Sequence, residues 1–328
     1  MTRPLIEAQG LAVNFRAPGG MLGMGSRRLT ILDDVSVTVD PGETLGLVGE
    51  SGSGKTTLAR ALLGLVPRSR GSVRFEGAAI AGTGPAAFRH LRRKTAMMFQ
   101  DPVGSLSPRV TIGAAITEPF VIHGVAMNSR RETAQQLLKL VGLPADFVSR
   151  YPHELSGGQA RRAGVARALA LKPSLVIADE PTAGLDVSIQ GEILNLMTRL
   201  KDHLDLSYII VTHNLAIVRH VSDRIAVMYL GRIVEEGPTP AIFAKARHPY
   251  TASLIASEPI PDPRQRRRHL AITGEVPSIL KRPKGCEFHT RCPLAQPRCR
   301  AEAPALTSLT ADHKVRCHYP INQGGLNQ

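Results

Sequence analysis

The most constraining stretch of this 328-residue chain is Gly49-Glu50-Ser51-Gly52-Ser53-Gly54-Lys55-Thr56. It fits the pattern G-x-x-x-x-G-K-[ST], and its flanks are what that pattern requires. Before it, Thr44-Leu45-Gly46-Leu47-Val48 is a short apolar run that predicts a buried strand; after it, Leu58-Ala59-Arg60-Ala61-Leu62-Leu63 is a good helix former. Glycines let successive backbone N–H groups converge on phosphate oxygens, and the N-terminus of the following helix adds partial positive charge. In such a loop Lys55 reaches the β- and γ-phosphates and the Thr56 hydroxyl sits on Mg²⁺. A chance glycine-rich turn would lack the strand on one side and the helix on the other.

A second element lies about 125 residues downstream. Leu175-Val176-Ile177-Ala178-Asp179-Glu180 is an apolar strand ending in two acids. Asp179 is placed to hold a Mg²⁺ shell, and Glu180 to polarise a water for attack on a γ-phosphate. Alone, such a pair reads as a solvated acidic turn; with the phosphate loop upstream it does not. Tyr208-Ile209-Ile210-Val211 predicts another buried strand, and Ile189, Ile193, Leu196, Met197 and Leu200 recur at helical spacing between the two. Ser129 with Glu132 three residues on predicts a capping box, followed by Ala134, Leu137, Leu138 and Val141 on one helix face. Apolar strands alternating with helices predict a parallel sheet covered on both faces, an α/β core.

Composition excludes some classes. No run approaches 18 consecutive apolar residues, and Met1 to Glu7 has no apolar leader region, so the chain is expected in the cytosol. The net charge of +14 calls for an anionic partner: nucleotide, nucleic acid or lipid headgroups. Pro18 to Ser26 reads as a loop, and Glu258 to Arg268, with three closely spaced prolines and a basic run, as a linker. These marks divide the chain into a main domain, 1–258, and a tail, 259–328.

A third set of motifs points to a family. Leu155-Ser156-Gly157-Gly158-Gln159 precedes a helix, Gln100 precedes Asp101-Pro102, Gly184-Leu185-Asp186 follows Glu180, and His213 ends the strand Ile209 to Thr212. Over roughly residues 5–258 the chain resembles the ATP-binding subunit of an ABC transporter. That resemblance implies a P-loop NTPase (RecA-like) core with an antiparallel β subdomain and a helical subdomain at about 101–165. It implies ATP and Mg²⁺ as cofactors, with Gly49, Ser51, Gly52, Ser53, Gly54, Lys55, Thr56 and Thr57 around the phosphates and Thr56, Gln100 and Asp179 at the metal. Glu180 looks like the catalytic base, His213 like the switch histidine and Gln100 like the glutamine that couples to the membrane partner. Phe15 resembles the aromatic that stacks on adenine. Ser156 and Gly158 would bind ATP held by the other subunit of a dimer. Two departures stand out: Ala160 replaces a polar or basic residue, and Gly184 replaces an alanine.

The tail narrows the resemblance. His248-Pro249-Tyr250-Thr251, Gly274 to Ser278 and Gly285 to Ala295 are similar to the C-terminal extension of oligopeptide/dipeptide transporter ATPases, and nickel importers share parts of it. The second of that group's two paired ATPases is the better match. The resemblance implies an importer ATPase on the cytoplasmic side of the membrane. Its implied partners are a homologous ATPase, two membrane permeases and a solute-binding protein, with no nucleic acid. Uptake of nickel or another metal chelate is the alternative, and a soluble ABC-type ATPase acting on DNA or ribosomes a remoter one.

The same tail holds every cysteine in the chain: Cys286, Cys292, Cys299 and Cys317. Between 261 and 328 stand twelve Lys and Arg against five Asp and Glu, half of the chain's excess charge. The spacing C-x5-C-x6-C-x17-C fits no common zinc-finger pattern. Four thiolates among arginines suit a 4Fe-4S cluster, which members of the resembled group can carry here. Zinc, and free thiols without metal, remain open alternatives.

Overall fold

The computed structural model describes residues 3–17, 27–80, 88–99, 101, 104, 106–258 and 274–321. Gln100, the loop 18–26 and the linker segment 259–268 lie outside them. The chain forms two compact units, one of residues 1–5, 39–44 and 75–211, the other of 6–38, 45–74 and 212–328.

The second unit begins with β1 (Ile6–Ala17), β2 (Arg27–Val39), β3 (Thr44–Val48), helix α1 (Lys55–Leu62) and β4 (Arg70–Phe75). β1 lies between β2 and β4 in one sheet. Val35, Val37 and Val39 alternate inward along β2, the period-two pattern of a strand with one buried face. β3 is buried at all five positions, as a strand covered on both faces must be.

The first unit carries β5 (Ala78–Ala79), α2 (Arg89–Lys94), β6 (Thr95–Met98), α3 (Ile112–His123), α4 (Arg130–Leu140), α5 (Gly157–Leu169), β7 (Leu175–Asp179), α6 (Val187–Leu204) and β8 (Ser207–Thr212). β6, β7 and β8 are parallel neighbours, with Ala96 beside Val176 and Ile177 beside Ile209. Every residue of β7 and β8 is buried. Helices α3, α4 and α5 pack on one another. The helix expected at Ser129 forms, but only half of its cap does: Ser129 Oγ accepts from the Glu132 N–H at 3.3 Å.

The second unit resumes with α7 (Leu215–Val221), β9 (Arg224–Tyr229), β10 (Arg232–Pro238), α8 (Thr239–Ala244), α9 (Pro249–Ala256), α10 (Pro297–Ala301), β11 (Thr307–Ser308) and β12 (Lys314–Val315). β3 pairs parallel with β9, β9 forms an antiparallel pair with β10, and β12 then adds antiparallel to β10. The tail thus extends the sheet that contains the strand preceding the phosphate loop. Its inner anchor is an aromatic trio. Tyr229, Tyr250 and Phe288 are each at most 1% exposed, with ring centroids 4.8 to 5.3 Å apart. Contacts of that geometry add about 1 kcal/mol each beyond area burial.

Candidate functional site

The phosphate loop owes its path to glycine. Gly49, Gly52 and Gly54 have φ of +150°, +78° and +99°. A Cβ on Gly49 would stand 2.2 Å from the Met228 carbonyl oxygen, so no other residue fits there. Gly54 is the N-cap of α1, and no side chain caps that helix, which leaves its N-terminal face to the loop's ligand. Lys55 is buried, its Nζ donating to the Gly49 and Glu50 carbonyls at 2.7 and 2.9 Å and to Ser53 Oγ at 3.3 Å. The Gly231 N–H donates to the Ser53 carbonyl at 2.8 Å, tying the loop to the β9–β10 turn.

In the same unit, Thr56 and Thr57 are half-buried in the first turn of α1, and Ser51 and Gly52 are exposed. Phe15, in β1, is 42% exposed. His213 is exposed between β8 and α7, where Asn214 caps the helix by accepting from Ala216 and Ile217.

The other unit holds the acids and the Ser-Gly-Gly turn. Asp179 is buried at the C-terminal end of β7. Glu180 follows with φ +49°, a left-handed conformation that costs a β-carbon residue on the order of 1 kcal/mol. Its N–H donates to the Val211 carbonyl at 2.8 Å, which fixes the carboxylate's point of departure just past the C-terminal end of β7. Ser156 is the exposed N-cap of α5, and here the capping box is complete: its Oγ accepts from the Gln159 N–H and Gln159 Oε1 from the Ser156 N–H. Gly158 sits where a Cβ would press to 3.0 Å from Ile189.

Both departures have physical reasons. Ala160 is fully buried, where a polar side chain would be stranded, and Gly184 has φ +74°, which suits glycine better than alanine. Arg161, which the sequence reading passed over, is 2% exposed and donates to the Ala183 carbonyl at 2.8 Å. It joins the start of α5 to the turn after Glu180. Burial lowers its pKa, against the opposing pull of Asp101. A cation one residue after an Ala was the only signal in the sequence.

The same unit has a cleft lined by Arg93, Met97, Phe99, Ile122, His123 and Arg167. Ile122 and Val121 stand 66% and 62% exposed beside it. Burial and the neighbouring arginines 89, 93 and 92 depress the His123 pKa, so the rim is basic and the imidazole neutral.

In the tail all four cysteines line one cleft, together with His248 and Phe288. None forms a disulfide. Burial pushes the Cys286 thiol up to about 11 and Cys317 to about 12, and raises Cys292 as well. Among the described residues no group of three or more His, Cys, Asp or Glu is close enough to hold a single metal ion, so the zinc alternative finds no single-ion site here.

These parts together define an ATP-binding cassette. Residues 32–183 match the ABC transporter family, and residues 234–299 match the oligopeptide/dipeptide transporter C-terminal region. A peptide ABC transporter ATP-binding protein of Sinorhizobium fredii is 48% identical over 97% of this chain and 90% of its own length. The oligopeptide transport ATP-binding protein AppF of Bacillus subtilis is 41% identical over 96% and 97%. Among solved structures, the dimeric cassette MJ0796 bound to ADP and Pi superposes with a TM-score of 0.63 at 26% identity, covering 71% of this chain and 98% of that one. CbiO1 of Clostridium perfringens does so with the same TM-score at 27% identity, over 74% and 91%. The chain belongs to the ATP-binding subunits of oligopeptide/dipeptide ABC transporters. No described helix is long and apolar enough to cross a membrane.

Proposed function

We propose that this chain binds and hydrolyses ATP to drive uptake of di- and oligopeptides across the cytoplasmic membrane, from its cytoplasmic side. The observation that carries the reading is the phosphate loop, whose positive-φ glycines, buried Lys55 and uncapped α1 form a cradle for anions. In this reading Lys55 holds the phosphates together with Gly49, Ser51, Gly52, Ser53, Gly54, Thr56 and Thr57, and Phe15 stacks on the base. Thr56, Asp179 and Gln100 would hold Mg²⁺, which would supply positive charge to offset that of the phosphates. Glu180 accepts a proton from the attacking water, and His213 contacts the γ-phosphate. Ser156 and Gly158 serve the ATP of a second, homologous ATPase, so that two nucleotides close the pair and hydrolysis opens it. The exposed position of Ser156, at a helix N-terminus, favours that role.

The basic, apolar-rimmed cleft beside Phe99 supports docking of a membrane permease, because Gln100, the residue expected to couple to the membrane partner, follows Phe99 directly in the sequence; the assembled pair of ATPases would serve two permeases. A solute-binding protein completes the importer and selects the peptide. The domain division 1–258 and 259–328, with helical residues near 101–165, belongs to this reading.

The four thiols suit a 4Fe-4S cluster. What supports this is their arrangement around one cleft: a cubane takes one thiolate on each of four irons, so its ligands need not meet at one point. Such a group would supply a structural clamp. The thiols would lose their protons on loading, and the raised pKa values of Cys286 and Cys317 would make that loss depend on the metal itself.

Two experiments test the reading. Glu180→Gln in the assembled transporter should lower ATP turnover by about 10³-fold while nucleotide still binds; turnover like the wild type's would remove Glu180 from the role of base. Anaerobically purified protein should contain iron and acid-labile sulfide in about equal amounts, about four of each per chain. Absence of both disposes of the cluster.

A further inference from the structure

Glu50 is an acid inside a loop built to receive anions. Left alone, its carboxylate would oppose the ligand the loop attracts. It is not left alone. Arg291 Nη1 and Nη2 donate to the two carboxylate oxygens at 2.7 and 2.9 Å, a bidentate pair across 241 residues of sequence. Arg291 is 7% exposed, and its guanidinium lies 5.9 Å from the centre of the Tyr229 ring. The backbone of Glu50 is held as well: its N–H donates to Tyr250 Oη at 2.9 Å and its carbonyl accepts from Lys55. Every polar group of this one loop residue is therefore occupied, two of them by the segment beyond residue 249.

Arg291 is itself fixed by the cysteine-bearing loop. Its N–H donates to the Phe288 carbonyl at 3.0 Å, and Phe288 is a fully buried member of the aromatic trio. The next residue, Cys292, lines the thiol cleft. At the loop's start the Cys286 N–H donates to the Cys299 carbonyl at 2.8 Å. Gly285, with φ +70°, permits this approach: a Cβ there would stand 2.5 Å from that oxygen.

We infer that Arg291 is a positioning residue for nucleotide binding, which cancels the charge of Glu50 and braces the phosphate loop from the cysteine-bearing tail. The inference rests on the reading of residues 49–56 as the phosphate site. It goes beyond that reading by making ATP affinity a property of the tail. The tail's part follows from chemistry alone: a guanidinium held in a rigid fork neutralises a carboxylate more completely than solvent does, and a neutral loop competes better for polyphosphate.

Equilibrium binding of ADP with Mg²⁺ to the full-length chain tests this, with thermal unfolding recorded for each variant. Arg291→Ala should raise the ADP dissociation constant about tenfold, because an uncompensated carboxylate then faces the phosphates. Adding Glu50→Gln to Arg291→Ala should return affinity to within about threefold of wild type, since the repelling charge is gone. Arg291→Lys, which keeps the charge without the fork, should fall between. Wild-type affinity in Arg291→Ala overturns the inference. So does a double variant no tighter than Arg291→Ala, which would mean that the tail's packing, not the charge, had been lost. Lys55→Ala serves as the control for the loop itself. If it binds ADP as well as wild type does, the phosphate-site reading falls and takes the inference with it. If Lys55→Ala loses binding and Arg291→Ala does not, the inference alone fails.

Discussion

The phosphate loop and the tail both manage charge, and they do so by opposite means. The loop uses its backbone: three glycines at positive φ turn N–H groups toward one point, and one buried lysine closes the circle through carbonyl oxygens. The tail uses side chains. Glu287 lies between Arg282 and Arg232 at 2.6 and 3.2 Å, Arg316 reaches Asp34 at 3.3 Å, and His313 Nε2 meets Glu235, a fully buried carboxylate, at 2.8 Å. Backbone cradles are rigid and intolerant of substitution. Side-chain networks can exchange one hydrogen-bonding group for another. The difference therefore predicts how each region responds to mutation.

The loop should break first and hardest. Gly49→Ala places a methyl group 2.2 Å from the Met228 carbonyl oxygen and 2.9 Å from Ser53 Oγ. Neither neighbour can retreat without moving β9 or the loop. A loss on the order of 3 kcal/mol in unfolding free energy is expected, from overpacking and backbone strain together. ADP binding should vanish with it. Chemical denaturation and nucleotide titration check the two effects separately; a chain that keeps both stability and binding would show that the loop is more pliant than its geometry implies.

The same contrast explains what could be read from the sequence. The phosphate loop, the acids at 179 and 180 and the Ser-Gly-Gly turn are local. Each is a short string whose residue types dictate backbone geometry, so strand, loop and helix appeared where expected, in β3 and α1, in β7, and at the complete capping box of α5. The left-handed backbone of Glu180 was invisible because no glycine marks it. The tail was legible as a resemblance carried by short motifs and as a group of cysteines, but not as structure. β11 and β12 are two residues long and carry no periodicity, so their addition to β10 left no mark. Arg291 finds Glu50 across 241 positions and Arg282 finds the Thr30 carbonyl across 252. Pairings of that separation are set by packing, and a single sequence records them only as an unexplained excess of arginine.

That arginine excess sets up the milder break. Glu287 is nearly buried, with its side chain 9% exposed, and burial raises its pKa even though Arg282 and Arg232 pull the other way. At neutral pH its ionised form is thus held at some cost, repaid through the two guanidiniums. Removing the group and replacing it should then differ in size. Glu287→Ala leaves Arg232 and Arg282 facing each other across a cavity and should cost about 2 kcal/mol, reduced from the range for fully buried pairs because both arginines are 19% exposed. Glu287→Gln keeps the shape and one acceptor oxygen and escapes the desolvation of a carboxylate. It should cost less than about 1 kcal/mol. Denaturant unfolding of the two variants at neutral pH measures the gap. If Glu287→Gln proves as damaging as Glu287→Ala, the tail depends on charge as strictly as the loop depends on glycine, and the division between a backbone cradle and an exchangeable side-chain network no longer holds.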